Sequence, residues 1–249
     1  MSDTAGGQAT RWTERDTETF IDLGRYYVPE RDRQIATVCD AVPPPAGPAR
    51  FVELCCGEGL LARALLARFP TATLLALDGS EAMLAATAGK LAAEAGRFET
   101  RLFDLPSADW RRFPEPVHAV VSSLAIHHLS ADEKRRLYAD MAGCLAPGGA
   151  LVVCDLVEAL TPEGRALYAA AWDEAVRRTA LERDGDLAAF DRFRADDWNF
   201  YAMRAPDPID KPDPLFDQLK WFEDAGLETI EVHWLVAGHA IFSGRKPRD

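Results

Sequence analysis

Two glycines and one carboxylate are the first residues in this chain whose spacing can hold a ligand. Phe51-Val52-Glu53-Leu54-Cys55-Cys56-Gly57-Glu58-Gly59 reads as an apolar strand running into a bend and then a helix. Gly57 and Gly59 allow a tight turn and a close approach of backbone N–H groups to a ligand. Asp78 ends the next apolar run, Leu74-Leu75-Ala76-Leu77, nineteen residues past Gly59. A carboxylate there can accept hydrogen bonds from both hydroxyls of a ribose. Further along, His127-His128 and Asp155 follow two more apolar runs. They are the candidate general bases, able to take a proton from a hydroxyl or an ammonium group. The plainer roles stand beside this one: a histidine pair packing a strand-to-helix turn, and an aspartate capping the next segment. Neighbouring histidines lack the i,i+4 spacing of a chelating helical pair, so no metal site is predicted.

These residues need elements to position them. From Arg50 the pattern alternates between short apolar strands (50–55, 73–77, 98–103, 119–122, 150–155) and helical stretches (60–69, 80–95, 131–145). Such alternation predicts an α/β fold, a doubly wound sheet with helices on both faces and ligands at the carboxyl ends of its strands. Ser130-Ala131-Asp132-Glu133 has the form of a capping box. Asp213-Pro214 reads as an N-cap followed by proline at the first helical position, with Gly226 ending that helix. Two final strands joined by Ala237-Gly238 predict a hairpin, so the last of seven strands runs antiparallel in a mostly parallel sheet.

Two segments fall outside the alternation. Residues 14–42 read as mainly helical after a polar tail over 1–15, and Pro43-Pro44-Pro45-Ala46-Gly47-Pro48 separates them from the rest. The expected organisation is an N-terminal helical cap and proline linker over 1–48 and a core over 49–249. A helical lid is expected at about 158–212, made of stretches at 162–183 and 186–204. The second stretch carries Phe190, Phe193, Trp198, Phe200 and Tyr201, which can line an acceptor pocket or pack the extra helices.

The formal charge of −12 works against wrapping nucleic acid or docking on an anionic membrane. No apolar run is long enough to span a bilayer, and the first twenty residues lack the apolar stretch of a signal peptide. The five cysteines show no C-x-x-C spacing and read as free thiols of a cytoplasmic chain. Nothing in the sequence sets the oligomeric state.

The run VELCCGEGLLARALLARFPTATLLALDGSEAML resembles the first two motifs of class I (Rossmann-like) S-adenosylmethionine (SAM)-dependent methyltransferases. Glu53, Gly57, Gly59, Asp78, Met83 and Leu84 match that pattern, while Cys55 stands where its first glycine is usual. Phe103-Asp104-Leu105 is similar to the third motif, where an acidic residue faces the adenine amino group. The segments 120–129 and 145–151 are similar to the fourth motif and the turn into the fifth strand. The resemblance covers roughly 50–157 and 214–246. It implies SAM as cofactor, held by Glu53, Leu54, Cys55, Gly57, Gly59, Asp78, Gly79, Met83, Asp104, Leu105 and Ser122. It also implies a tyrosine of the N-terminal piece, Tyr27, bordering the methyl group, and methyl transfer by in-line displacement to an oxygen or nitrogen of a small-molecule acceptor.

Three other readings stay open. A tRNA-modifying alkyltransferase of the same fold would share the helical N-terminus and the Val232-His233-Trp234 tail. A non-catalytic SAM-binding protein would keep the fold alone. A nicotinamide oxidoreductase would need a pyrophosphate at this bend, and Glu58 places a negative charge there instead.

Overall fold

The computed structural model describes residues 14–203 and 207–248. Most of the segment read as a polar tail lies outside them.

Seven strands form one sheet: β1 (Ala49–Leu54), β2 (Ala72–Asp78), β3 (Phe98–Leu102), β4 (Val117–Ser123), β5 (Leu145–Leu156), β6 (Glu228–Val236) and β7 (His239–Arg245). Their order is β3-β2-β1-β4-β5-β7-β6. All neighbours pair in parallel except β7, which is antiparallel to both β5 and β6. The order reverses between β1 and β4, the topological position at which open α/β sheets bind ligands beyond their carboxyl ends.

Side-chain alternation sorts the strands into two cores. Val52 and Leu54, Val120, Leu151 and Val153 face α5 (Ala131–Cys144) and α8 (Leu215–Asp224) through Tyr138, Met141, Trp221 and Phe222. Phe51, Ala119, Val121 and Val152 face α2 (Arg31–Ala41) and α3 (Leu60–Arg68) through Val38, Leu61, Leu65 and Leu66. On the sheet's third flank, α1 (Glu14–Tyr27), α6 (Pro162–Asp184) and α7 (Ala188–Ala195) gather a separate cluster around Tyr27, Trp172, Val176 and Phe193. Tyr201 fastens this helical layer to the sheet, its hydroxyl donating toward the carbonyls of Val157 and Gly238, each 2.8 Å away.

Local chemistry explains where the elements end. The capping box forms, with Glu133 accepting from the Ser130 backbone N–H at 2.8 Å. Ala237 and Gly238 both take positive φ (53° and 73°), the geometry of a two-residue hairpin turn. One sequence expectation is refined and two are corrected. The stretch before the linker is mainly helical as expected, and it divides into two helices because Pro29 follows the first and Glu30 takes the left-handed region at φ 49°. The stretch 186–204 is one short helix, α7, and a 3₁₀ turn at Phe200–Ala202, with Asp197 at φ 50° between them. Asp213 does not cap α8: Pro214 is extended at ψ 139°, and the Asp213 carboxylate instead receives Lys134 Nζ at 2.5 Å.

Candidate active site

The bend after β1 and the end of β2 meet. Asp78 turns its carboxylate toward the glycines: Oδ2 accepts from Gly57 N–H at 2.8 Å and Oδ1 from Ser80 N–H at 2.9 Å. A carboxylate has about four acceptor positions, so it can serve these donors and ribose hydroxyls together. Gly57 and Gly59 both have positive φ (54° and 82°). A Cβ on Gly59 would stand 2.8 Å from Thr87 Oγ1, which closes that position to any larger residue. Ser80 caps α4 (Glu81–Lys90) by accepting from Met83 N–H at 3.3 Å, placing Gly79 and Met83 beside Asp78.

Cys55 also lies in the left-handed region, at φ 55°. The backbone therefore keeps the glycine conformation although a side chain has been added, at a strain of about 1 kcal/mol. Burial pushes its thiol well above the ordinary value, so it is no nucleophile. Cys55→Gly is expected to leave the bend unchanged and to shift unfolding by no more than about 1 kcal/mol in either direction, strain relief opposing lost packing. A urea midpoint lowered by more than that would show that the thiol is needed for packing. Leu124, at the end of neighbouring β4, has φ 58°, so two strained residues flank the crevice.

Glu53 lies on the α2 face of β1 and is 2 % exposed. Its Oε2 has no hydrogen-bond partner among the described residues. Burial pushes its carboxyl up to about 8, with Arg31 pulling it down and Asp78 adding to the rise. Arg31, from α2, donates to Ser123 Oγ at 2.7 Å. A buried carboxyl with an unpartnered oxygen, ionising as a cation arrives, and a nearby guanidinium are complementary to the ammonium and carboxylate of an amino acid. With Asp78 turned to the bend, this donor set fits SAM. Leu54 and Ser122 support the pair of strands, Ser122 Oγ lying 3.4 Å from the Leu54 carbonyl. Leu105 is buried beyond β3, while Asp104 stays exposed there.

A cavity of about 350 Å³ opens beside the crevice, between the sheet and the helical layer. Val28, Leu124, His127, Leu156, Trp198 and His239 are among its walls. Its size is that of a small-molecule site. His127 is 6 % exposed and tightly held. Asp155 accepts from its backbone N–H at 2.9 Å and its ring Nδ1 at 2.5 Å, and Asp210 Oδ1 lies 3.4 Å from Nε2. Burial alone would lower its pKa, but the two carboxylates overcome burial and hold it up at about 10. An imidazole so held has no lone pair to accept a proton at neutral pH. His128 is lowered by burial and by His127. His239 is lowered to about 4 by burial, and its Nδ1 lies 2.9 Å from the Ala237 carbonyl, a contact that requires Nδ1–H and leaves Nε2 as acceptor.

Tyr27 is fully buried against Phe193 and Trp198 with ring centroids 5.2 Å away, and does not line the cavity. Trp234 is buried as well, so the tail aromatic is not presented to a nucleic acid. Glu58 is bound by Lys90 at 2.6 Å, which offsets the charge expected to repel a pyrophosphate. Asp210, His239 and Arg31 lie outside the motifs, reaching the site from a loop, the last strand and the second N-terminal helix.

Comparison with known proteins points the same way. Residues 51–149 match the methyltransferase domain family. Over 131 residues the chain is 35% identical to trans-aconitate 2-methyltransferase of Variovorax paradoxus, covering 53% of this chain and 47% of that one. It is 37% identical over 139 residues to the enzyme of the same name from Methylobacterium nodulans, covering 53% and 48%. The chain thus spans about half the length of the curated relatives it matches. An O-methyltransferase family protein from Burkholderia thailandensis shares the fold with a TM-score of 0.64 at 17% identity, over 94% of this chain and 60% of that one. Residues 51–149, which carry the glycine bend, are thus similar to a methyltransferase domain, within a fold that solved methyltransferase structures share. No helix among the described residues is long and apolar enough to cross a membrane.

Proposed function

We propose that the chain transfers a methyl group from SAM to a small-molecule acceptor bound in the cavity beside the crevice, at an oxygen or nitrogen atom. SAM supplies an electrophilic methyl group, so the protein's task is positioning more than activation. Asp78, Gly57 and Gly59 would hold the nucleoside, Met83, Leu105 and Asp104 would border the base, and Glu53 with Arg31 would hold the amino-acid end. Leu124 and His127, at the end of β4, would face the acceptor. The observation that carries this reading is the orphaned Glu53 Oε2 beside a glycine bend to which Asp78 is hydrogen-bonded.

The same observation gives a pH test. The Glu53 carboxyl is raised from 4.5 to about 8 in the folded, ligand-free chain. Between those values the folded state binds more protons than the unfolded one. Its contribution to stability is then complete below pH 4.5 and declines as pH rises toward 8. An ammonium ion beside Glu53 offsets the effect of burial by favouring the charged carboxylate. Melting temperatures of the free protein are expected to carry a falling Glu53 share across this interval, and saturating S-adenosylhomocysteine to remove that share. Glu53→Gln should remove this share of the slope without ligand, leaving that of His127, raised to about 10, and His239, lowered to about 4. A Glu53→Gln profile parallel to the wild type would remove Glu53 from this role.

The lining of the cavity disfavours the polyanionic acceptor in the name of the curated relatives. Asp196, Asp197, Asp207 and Asp210 line the cavity. The cations of its described wall are already engaged: Arg192 donates to Asp196 at 2.6 Å, and His127 is bonded to Asp155. With no metal ion bound, a tricarboxylate would enter without a free cationic partner. Incubation of the chelator-treated chain with SAM and trans-aconitate is expected to give no ester above background, and a methyl ester seen by mass spectrometry would overturn this view of the pocket.

A further inference from the structure

His127 and His128 occupy a 3₁₀ turn (Ile126–His128), and Asp210 arrives from a loop far along the chain. The Asp210 Oδ1 atom lies 3.4 Å from His127 Nε2 and 3.1 Å from His128 Nδ1. One ligand atom from each residue falls within 4.8 Å of the other two. Tetrahedral ligands on bonds of about 2.0–2.1 Å stand roughly 3.4 Å apart, so small rotations of these side chains would admit an ion.

Two further features are those of a metal centre. The far nitrogen of His127 is held by a buried carboxylate, Asp155, at 2.5 Å, and Asp155 also takes the His127 backbone N–H. Metal-bound imidazoles are oriented in this way by an outer carboxylate. The loop bearing Asp210 is pinned to the histidine turn, since Lys211 N–H donates to the His127 carbonyl at 2.7 Å. Lys134, buried in α5, bonds to Asp213 of the same loop at 2.5 Å. The donors are therefore fixed before any ion arrives.

We propose that His127, His128 and Asp210 form a binding site for one divalent transition-metal ion of the zinc class, open to the acceptor cavity. Two imidazoles and a carboxylate favour zinc, iron or cobalt over magnesium or calcium, which take all-oxygen sites. Three protein ligands leave a tetrahedral ion at least one position. His127 and Asp210 line the cavity, so that position faces it and can take a water molecule or an oxygen of the acceptor. Binding at His127 Nε2 would release the proton on that nitrogen to solvent. The spacing of the histidines argues against a chelating pair; Asp210, supplied by the fold, completes the set.

The test uses the full chain after chelator treatment, titrated with zinc chloride by calorimetry and with cobalt chloride by visible absorption. The expected result is a single equivalent of zinc bound at micromolar or tighter affinity, with the intense visible bands of four-coordinate cobalt. Asp210→Ala and His128→Ala should each weaken zinc binding at least about 30-fold, with far-ultraviolet circular dichroism unchanged. His233→Ala, which removes a histidine of β6 bonded to Ser243, should bind as the wild type does. Absence of binding, binding indifferent to both site variants, or loss of binding in His233→Ala would each overturn the proposal. These titrations contain no SAM, so their failure leaves the methyl-transfer reading standing.

Discussion

Asp78→Asn is expected to raise the dissociation constant for SAM by about 100-fold, close to 3 kcal/mol, the value of two charge-assisted hydrogen bonds. The carboxylate has two separate tasks. Its oxygens receive the backbone N–H groups of Gly57 and Ser80, which fixes the bend against the start of α4. It also faces the position where the ribose would lie. An amide matches its size but has only one oxygen, so its NH₂ would be set against one of the two N–H groups. Asp78→Asn should therefore lower the melting temperature as well as the affinity. Asp104→Asn, at the exposed end of β3, is the comparison: its stability should be that of the wild type. Calorimetry of both variants checks this, and an Asp78→Asn chain that binds within threefold of the wild type would rule out ribose recognition by Asp78.

Gly238→Ala is expected to destabilise the chain by roughly 3 kcal/mol, or roughly 6–12 °C in melting temperature for a chain of this size. The residue sits at φ 73° in the turn between β6 and β7, and a Cβ there would lie 2.3 Å from the Tyr201 ring and hydroxyl. Tyr201 is 4 % exposed and bonded to two carbonyls, so it cannot swing away cheaply. The variant must either distort the hairpin or release Tyr201, and with it the attachment of the helical layer. Thermal unfolding measures the loss, and tryptophan fluorescence should report the change around Trp172, whose ring is 5.9 Å from that of Tyr201. Wild-type stability would show that this anchor is dispensable. Because the anchored layer forms one wall of the cavity, acceptor binding should suffer more than SAM binding.

The parts of this molecule that could be read in the sequence share a physical basis. The apolar strands and the glycine bend follow local rules, since a strand buried on both faces must be apolar and a left-handed turn favours glycine. Asp78 was legible because its place at the end of β2 is fixed by the same alternation. Cys55 was legible only as a departure, and its φ of 55° shows that the backbone obeys the glycine geometry regardless. The acceptor side is legible only in part: the aromatic stretch 190–201 reads as a candidate pocket wall, and Trp198 lines the cavity. Asp210, His239 and Trp198 come from a loop, the last strand and the segment beyond α7, and only tertiary packing brings them to one cavity. The helix boundaries around Pro29 and Asp197 were missed because single left-handed residues, Glu30 and Asp197, break otherwise helical patterns. Asp213 read as a cap because the sequence could not reveal that Lys134 would claim its carboxylate.

Calorimetric titration of the chain with S-adenosylhomocysteine is the most direct measurement of the central claim. The account predicts saturable binding of one equivalent in the micromolar range, accompanied at neutral pH by release of a proton as the Glu53 carboxyl ionises beside the incoming ammonium. Heats equal to dilution, together with an unchanged melting temperature at millimolar ligand, would contradict it.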